Sequence, residues 1–140
     1  MTARSATVSI DRIRRAAQQV APDLGCRLVV LFGSAARSTG AAPEDIDLGV
    51  LGDAAVDTVA VTNRFIRALG IQTVDISDLR RADPLLLMLV ARDGIALYER
   101  APGEFARFAS LAARRYADTR KFRVAERAEV RDYLTRSARR

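Results

Sequence analysis

Residues 28–51, LVVLFGSAARSTGAAPEDIDLGVL, constrain the fold of this chain more than any other stretch. Five consecutive apolar residues, 28–32, predict a strand buried on both faces. The run stops at Gly33-Ser34, and Ser34-Ala-Ala-Arg37 predicts the first turn of a short helix. Such a start leaves backbone N–H groups unpaired at the positive end of the helix dipole, where a phosphate can be held. After an irregular loop comes a second strand that alternates in character. Asp45, Asp47 and Gly49 share one face, and Ile46, Leu48 and Val50 share the other. Carboxylates two residues apart on one face stand roughly 6–7 Å apart at their Cα atoms. They repel each other, and a divalent cation relieves that repulsion. A phosphate cradle leading into paired carboxylates is what a metal-dependent, nucleotide-handling enzyme needs.

What the chain lacks narrows its chemistry further. It has no histidine, which removes Ser-His-Asp and Cys-His catalysis, histidine zinc sites and imidazole bases together. The one cysteine, Cys26, cannot form an intrachain disulfide and reads as a small buried hydrophobe. No Gly-Lys-Ser/Thr follows the glycine turn, so a Walker A loop is excluded. The N-terminus lacks the apolar core of a signal peptide. The next apolar run, 85–91, falls far short of the ~20 residues that span a bilayer. The expectation is a soluble, cytoplasmic protein with no membrane association. At 140 residues and 49% hydrophobic content, one compact domain accounts for the chain.

Along the chain, Ser9 is placed to cap a helix over 10–21, which Pro22-Asp23-Leu24-Gly25 ends. Gly52-Asp53 predicts a turn that starts a helix over 54–69, with Gly70 as its stop. A third strand is expected at 71–76, carrying Asp75 among apolar residues. Asp78 is expected beyond that strand, as a cap for Leu79-Arg80-Arg81. Asp83-Pro84 opens a hydrophobic helix to Arg92, and 95–98 suits an edge strand. Pro102 is expected to open a long helix in which Phe105, Phe108, Leu111, Ala112 and Tyr116 repeat at helical spacing. That stripe reads as core packing rather than a base-stacking platform. Asp118-Thr119 is a break before a last basic segment. Strands alternating with helices argue for an α/β fold around a small sheet. If the second and third strands are neighbours, Asp45, Asp47 and Asp75 converge as in a two-metal phosphoryl-transfer site.

Charge divides the chain unevenly. Lys121 is its only lysine, and the overall charge is +6. Residues 100–140 carry a net +7 and residues 1–99 a net −1. A surplus confined to one segment is either a solvated face or a docking surface.

Gly33-Ser34, a ten-residue gap, Asp45-Ile46-Asp47 and the later Asp75 together resemble the signature of the DNA polymerase β-like nucleotidyltransferase superfamily. Their spacing is most similar to that of its minimal members, the MNT antitoxins paired with HEPN-type ribonuclease toxins. The resemblance covers residues 28–76, and the Arg-rich tail is similar in character. It implies a polymerase β-like fold, a small mixed sheet flanked by helices with a C-terminal helical tail. A nucleotidyltransferase domain would span 1–100, and an Arg-rich helical segment 101–140. It further implies Mg²⁺, with two ions, and ATP as nucleotide donor. Gly33 and Ser34 would hold the triphosphate, and Arg37, one turn on, would reach a phosphate. Asp45 and Asp47 would bind metal, and Asp75 would complete the metal site and help activate the nucleophile. The implied reaction is AMP transfer to a hydroxyl, a tyrosine of a cognate HEPN toxin. Two other readings stand beside it: adenylylation of a small molecule such as an aminoglycoside, and a non-catalytic antitoxin that masks its toxin. Nucleic acid is not an expected partner.

Overall fold

The computed structural model describes residues 8–37, 46–71 and 73–138. In it, α1 (Ile10–Asp23) leads into β1 (Cys26–Phe32), followed by the short α2 (Ser34–Arg37) and β2 (Ile46–Gly52). Next come α3 (Thr58–Leu69), β3 (Val74–Asp78), α4 (Pro84–Asp93) and β4 (Ile95–Glu99). The chain then continues into α5 (Glu104–Asp118) and α6 (Arg120–Ala138).

The strands form one mixed sheet in the order β3-β2-β1-β4. β1 pairs antiparallel with both β2 and β4, and β2 pairs parallel with β3. The fully buried Leu28, Val29, Val30 and Leu31 explain why β1 reads as a continuous apolar run: it is a central strand covered on both faces. One face carries Val29, Leu31, Ile46, Leu48 and Val50, packed with Ile13, Ala17 and Val20 of α1 and Val61 and Phe65 of α3. The other face carries Leu28 and Val30, packed with Leu87 and Val90 of α4 and Phe108 and Ala112 of α5.

Local signals place most boundaries. Ser9 Oγ accepts from Arg12 N at the start of α1, and Asp83 does the same for Leu86 N ahead of Pro84. Gly70 ends α3 in the left-handed region, φ +65°.

Other expectations are corrected. α1 runs two residues further, to Asp23, with Pro22 in its last turn. α3 begins at Thr58 rather than 54, because Asp57, not Asp53, caps it by accepting from Ala60 N. Asp53 is engaged elsewhere, with Arg100 and Arg27. β3 lies at Val74–Asp78, so Asp78 is the last residue of the strand instead of beyond it. The expected turn contact is nonetheless present, since Asp78 Oδ1 accepts from Arg80 N at 3.0 Å. α5 starts at Glu104 behind Gly103, whose φ of +89° no side-chain cap accompanies. Of the aromatic stripe on α5, Phe108 and Ala112 are buried while Leu111 is exposed. Cys26 is buried, as expected. Among the described residues, no helix is long and apolar enough to cross a membrane.

Candidate active site

The site grows from the end of β1. Phe32 is the last residue of the strand and the register partner of Asp47 on β2. Gly33 follows at φ +74°, a conformation that L side chains rarely adopt, and turns the chain into α2. A Cβ at position 33 would fall 2.5 Å from Asp47 Oδ2, so the backbone of the turn lies directly against this carboxylate. Ala35 anchors α2 in the core beside α1, which leaves Ser34 exposed at the mouth of the turn.

Across the sheet, the parallel pairing of β2 with β3 makes Asp47 and Asp75 direct register partners. Their neighbours two residues on, Gly49 and Ser77, are partners too. The alternation of a strand puts Asp47 and Gly49 on the face opposite Ile46, Leu48 and Val50. Asp47 is half-buried and Asp75 exposed, so this row of carboxylates runs from the covered centre of the sheet to its open edge. Leu79 seals the inner side of the row: a Cβ at Gly49 would meet its Cδ2 at 2.8 Å.

Asp78 is not part of this group. Three residues from Asp75, it falls on the other side of the strand's alternation, where Oδ2 accepts from Val56 N at 3.4 Å.

Of the expected site residues, Gly33, Ser34, Asp47 and Asp75 therefore come together at one end of the sheet. Asp45 lies outside the described residues. Arg37 ends α2, and its side chain is likewise outside them. Among the described residues no three acidic or cysteine side chains gather as metal ligands. The close approach of Gly33 to Asp47 was not anticipated from the sequence, although a lone glycine ending an apolar run is its signal.

Oxygen donors on adjacent strands, with a backbone turn fitted against one of them, suit phosphate chemistry assisted by a hard cation. Residues 18–103, more than half of the chain, match the polymerase beta nucleotidyltransferase family. The chain belongs to that family. It is a nucleotidyltransferase, and its four-stranded mixed sheet flanked by helices is the polymerase β-like fold.

Solved structures agree in fold. A double aspartate-to-glutamate mutant of the MntA–HpeT toxin–antitoxin pair is 25% identical over 87% of this chain and 98% of the matched one, with a TM-score of 0.70. A toxin–antitoxin structure with AMP-PNP is 26% identical with the same coverages and TM-score. A tri-AMPylated Shewanella oneidensis HEPN toxin in complex with its MNT antitoxin matches at 24% identity, again over 87% and 98%, with a TM-score of 0.70. No curated protein sequence matches the chain.

Proposed function

We propose that this nucleotidyltransferase transfers AMP from ATP to a tyrosine hydroxyl of a cognate HEPN-type toxin and so acts as its antitoxin in the cytoplasm. The observation that carries the reading is the register pair Asp47–Asp75 with the Gly33 turn set against Asp47. Structural neighbours support the biological setting: they are toxin–antitoxin complexes, one with an ATP analogue and one whose toxin carries AMP. The aspartates altered in the double mutant stand two positions apart, the spacing of Asp45 and Asp47.

In this reading the amides around Gly33 and Ser34 bind the triphosphate and neutralise the departing pyrophosphate. Arg37 adds a guanidinium to the same phosphates. Asp45, Asp47 and Asp75 fit Mg²⁺, since all their donors are carboxylate oxygens. When bound, Mg²⁺ would supply charge stabilisation to the phosphate oxygens, and this reading takes two such ions. Asp75, exposed at the open edge, orients the incoming hydroxyl and accepts its proton. The hydroxyl oxygen forms a bond to the α-phosphorus, the bond from that phosphorus to the bridging oxygen breaks, and pyrophosphate leaves. An acceptor that brings its own surface suits a carboxylate row that opens at the sheet edge through the exposed Asp75.

Intact-mass spectrometry of the partner incubated with this chain, ATP and Mg²⁺ tests the proposal. A gain of about 329 Da per transfer is expected for an added AMP group. Asp47→Asn should abolish it, and Ser34→Ala should slow it while backbone amides still hold the phosphates. A partner that is fully inhibited but unmodified would overturn the catalytic reading in favour of masking.

A further inference from the structure

A concavity lies at the end of the sheet away from the carboxylate row. It is a cleft of about 590 Å³ between the ends of β1 and β2, the turn after β3, and helices α4 and α5. Gly52, on its wall, is five residues along β2 from Asp47, and Arg27 is five residues along β1 from Phe32. At roughly 3.3 Å per residue Gly52 and Arg27 stand about 16 Å along their strands from Asp47 and Phe32, and Leu79 forms the wall between the cleft and the carboxylate row. One ligand atom cannot touch both.

The lining separates into two parts. Leu51, Leu79, Leu87, Phe108, Leu111 and Ala112 form an apolar floor. Four arginines, Arg27, Arg80, Arg107 and Arg115, stand around it with two acids, Asp53 and Glu104, a surplus of two positive charges. Both acids are already engaged. Asp53 takes two hydrogen bonds from Arg100, at 2.8 and 3.0 Å, and one from Arg27 at 3.3 Å. Glu104, only 12% exposed, pairs with Arg107 at 3.3 Å and Arg27 at 3.7 Å.

Three donors remain incompletely used. Arg27 Nε is buried with no hydrogen-bond partner among the described residues, because Glu104 at 3.7 Å is beyond reach. Arg80 donates to the backbone carbonyl of Asp53 and, among the described residues, to no carboxylate. No ion pair of Arg115 is found among the described residues. A buried donor without a partner is costly, and guanidinium forks match phosphate oxygens in shape and charge.

We propose that this cleft is a second ligand site, for a small organic phosphate whose aromatic or aliphatic body lies on the Leu79–Phe108 floor and whose phosphate is held by Arg80 and Arg115. Charge complementarity selects the head group, and the floor selects against a bare anion. Nothing in the proposal depends on the transfer reaction at the other end of the sheet.

Phenyl phosphate, titrated into the ¹⁵N-labelled full chain and followed by amide chemical shifts, tests it. Inorganic phosphate and benzyl alcohol serve as arms that carry only the charge or only the ring. Phenyl phosphate should move the amides of Leu51, Leu79, Phe108 and Leu111 and leave Gly33, Asp47 and Asp75 in place. Each single-feature arm should bind at least tenfold more weakly. Arg80→Gln with Arg115→Gln should weaken phenyl phosphate at least tenfold, and Arg115→Lys should weaken it less than Arg115→Gln. Both arginines are exposed, so the folded spectrum should persist in these variants. Equal binding of inorganic phosphate, shifts centred on Gly33 and Asp47, shifts scattered over α6, or no response to the double substitution would each overturn the proposal.

Discussion

Gly33 and Asp47 are in contact across the β1–β2 pair so closely that the carboxylate occupies the space a side chain at position 33 would need. The glycine is required twice, by its φ of +74° and by the 2.5 Å that would separate a Cβ from Asp47 Oδ2. Gly33→Ala should cost roughly 1–2 kcal/mol for the left-handed backbone alone. It should also displace Asp47, so nucleotidyl transfer should fall by more than stability does. Urea unfolding beside product formation checks this, and an alanine variant with parental activity would contradict the contact.

Cation dependence follows from the carboxylate row. If Asp47 and Asp75 share a bound Mg²⁺, adding it with ATP should raise the melting temperature, because ligands that bind only the folded state stabilise it. Asp47→Asn should lose most of that rise. Differential scanning fluorimetry reads both, and an undiminished shift in the variant would place the cation elsewhere.

Cys26 supplies a pH-dependent prediction. Burial, with a lesser push from Asp78, raises its thiol to about 11 from an ordinary value near 9.0. A raised folded-state value favours the neutral thiol, so this contribution to stability is whole below pH 9 and is lost as pH rises towards 11. Cys26→Ala should flatten the decline over that window. At pH 8, iodoacetamide should modify the native chain far more slowly than the urea-unfolded chain, since the thiolate is the nucleophile.

Asp53 behaves in the opposite sense. Hydrogen bonds from Arg100, and secondarily the charges of Arg100 and Arg27, hold its carboxyl below the usual range. The contact therefore contributes above the ordinary carboxylate value, about pH 4, and is lost as pH falls through the lowered one. Asp53→Asn should make the chain less stable at neutral pH and less sensitive to acid, as thermal melts between pH 7 and pH 3 would show.

The last helix adds no buried side chain to the core among the described residues. Phe122, Val130, Tyr133 and Leu134 of α6 are all exposed, and among the described residues every buried one precedes it. Ending the chain after Thr119 should leave unfolding cooperative and cost only the local contacts of Arg123 with the Tyr116 ring and carbonyl. If α6 docks the basic tail on a partner, the same cut should weaken that association, and high salt should act in the same direction. Loss of cooperative unfolding would show instead that α6 supports the core.

Short-range chemistry made much of this protein legible from its residues alone. Strand alternation separates Asp47 from Leu48 whatever the strand pairs with, and Ser9, Gly70 and Asp83-Pro84 act on amides within four residues of themselves. Tertiary structure decided the rest, because it depends on partners far away in the chain. Whether Asp75 meets Asp47 is set by the parallel register of β3 on β2, and a slip of one residue would have turned Asp75 to the core face. Asp53 has the composition of a helix cap, yet Arg100, 47 residues away, offers its carboxylate two charged donors where a helix start offers a neutral amide, so Asp57 caps α3 instead. The Arg-lined cleft has no local signature at all: β1, β2, α4 and α5 each contribute residues unremarkable alone, and only packing gives them a common wall.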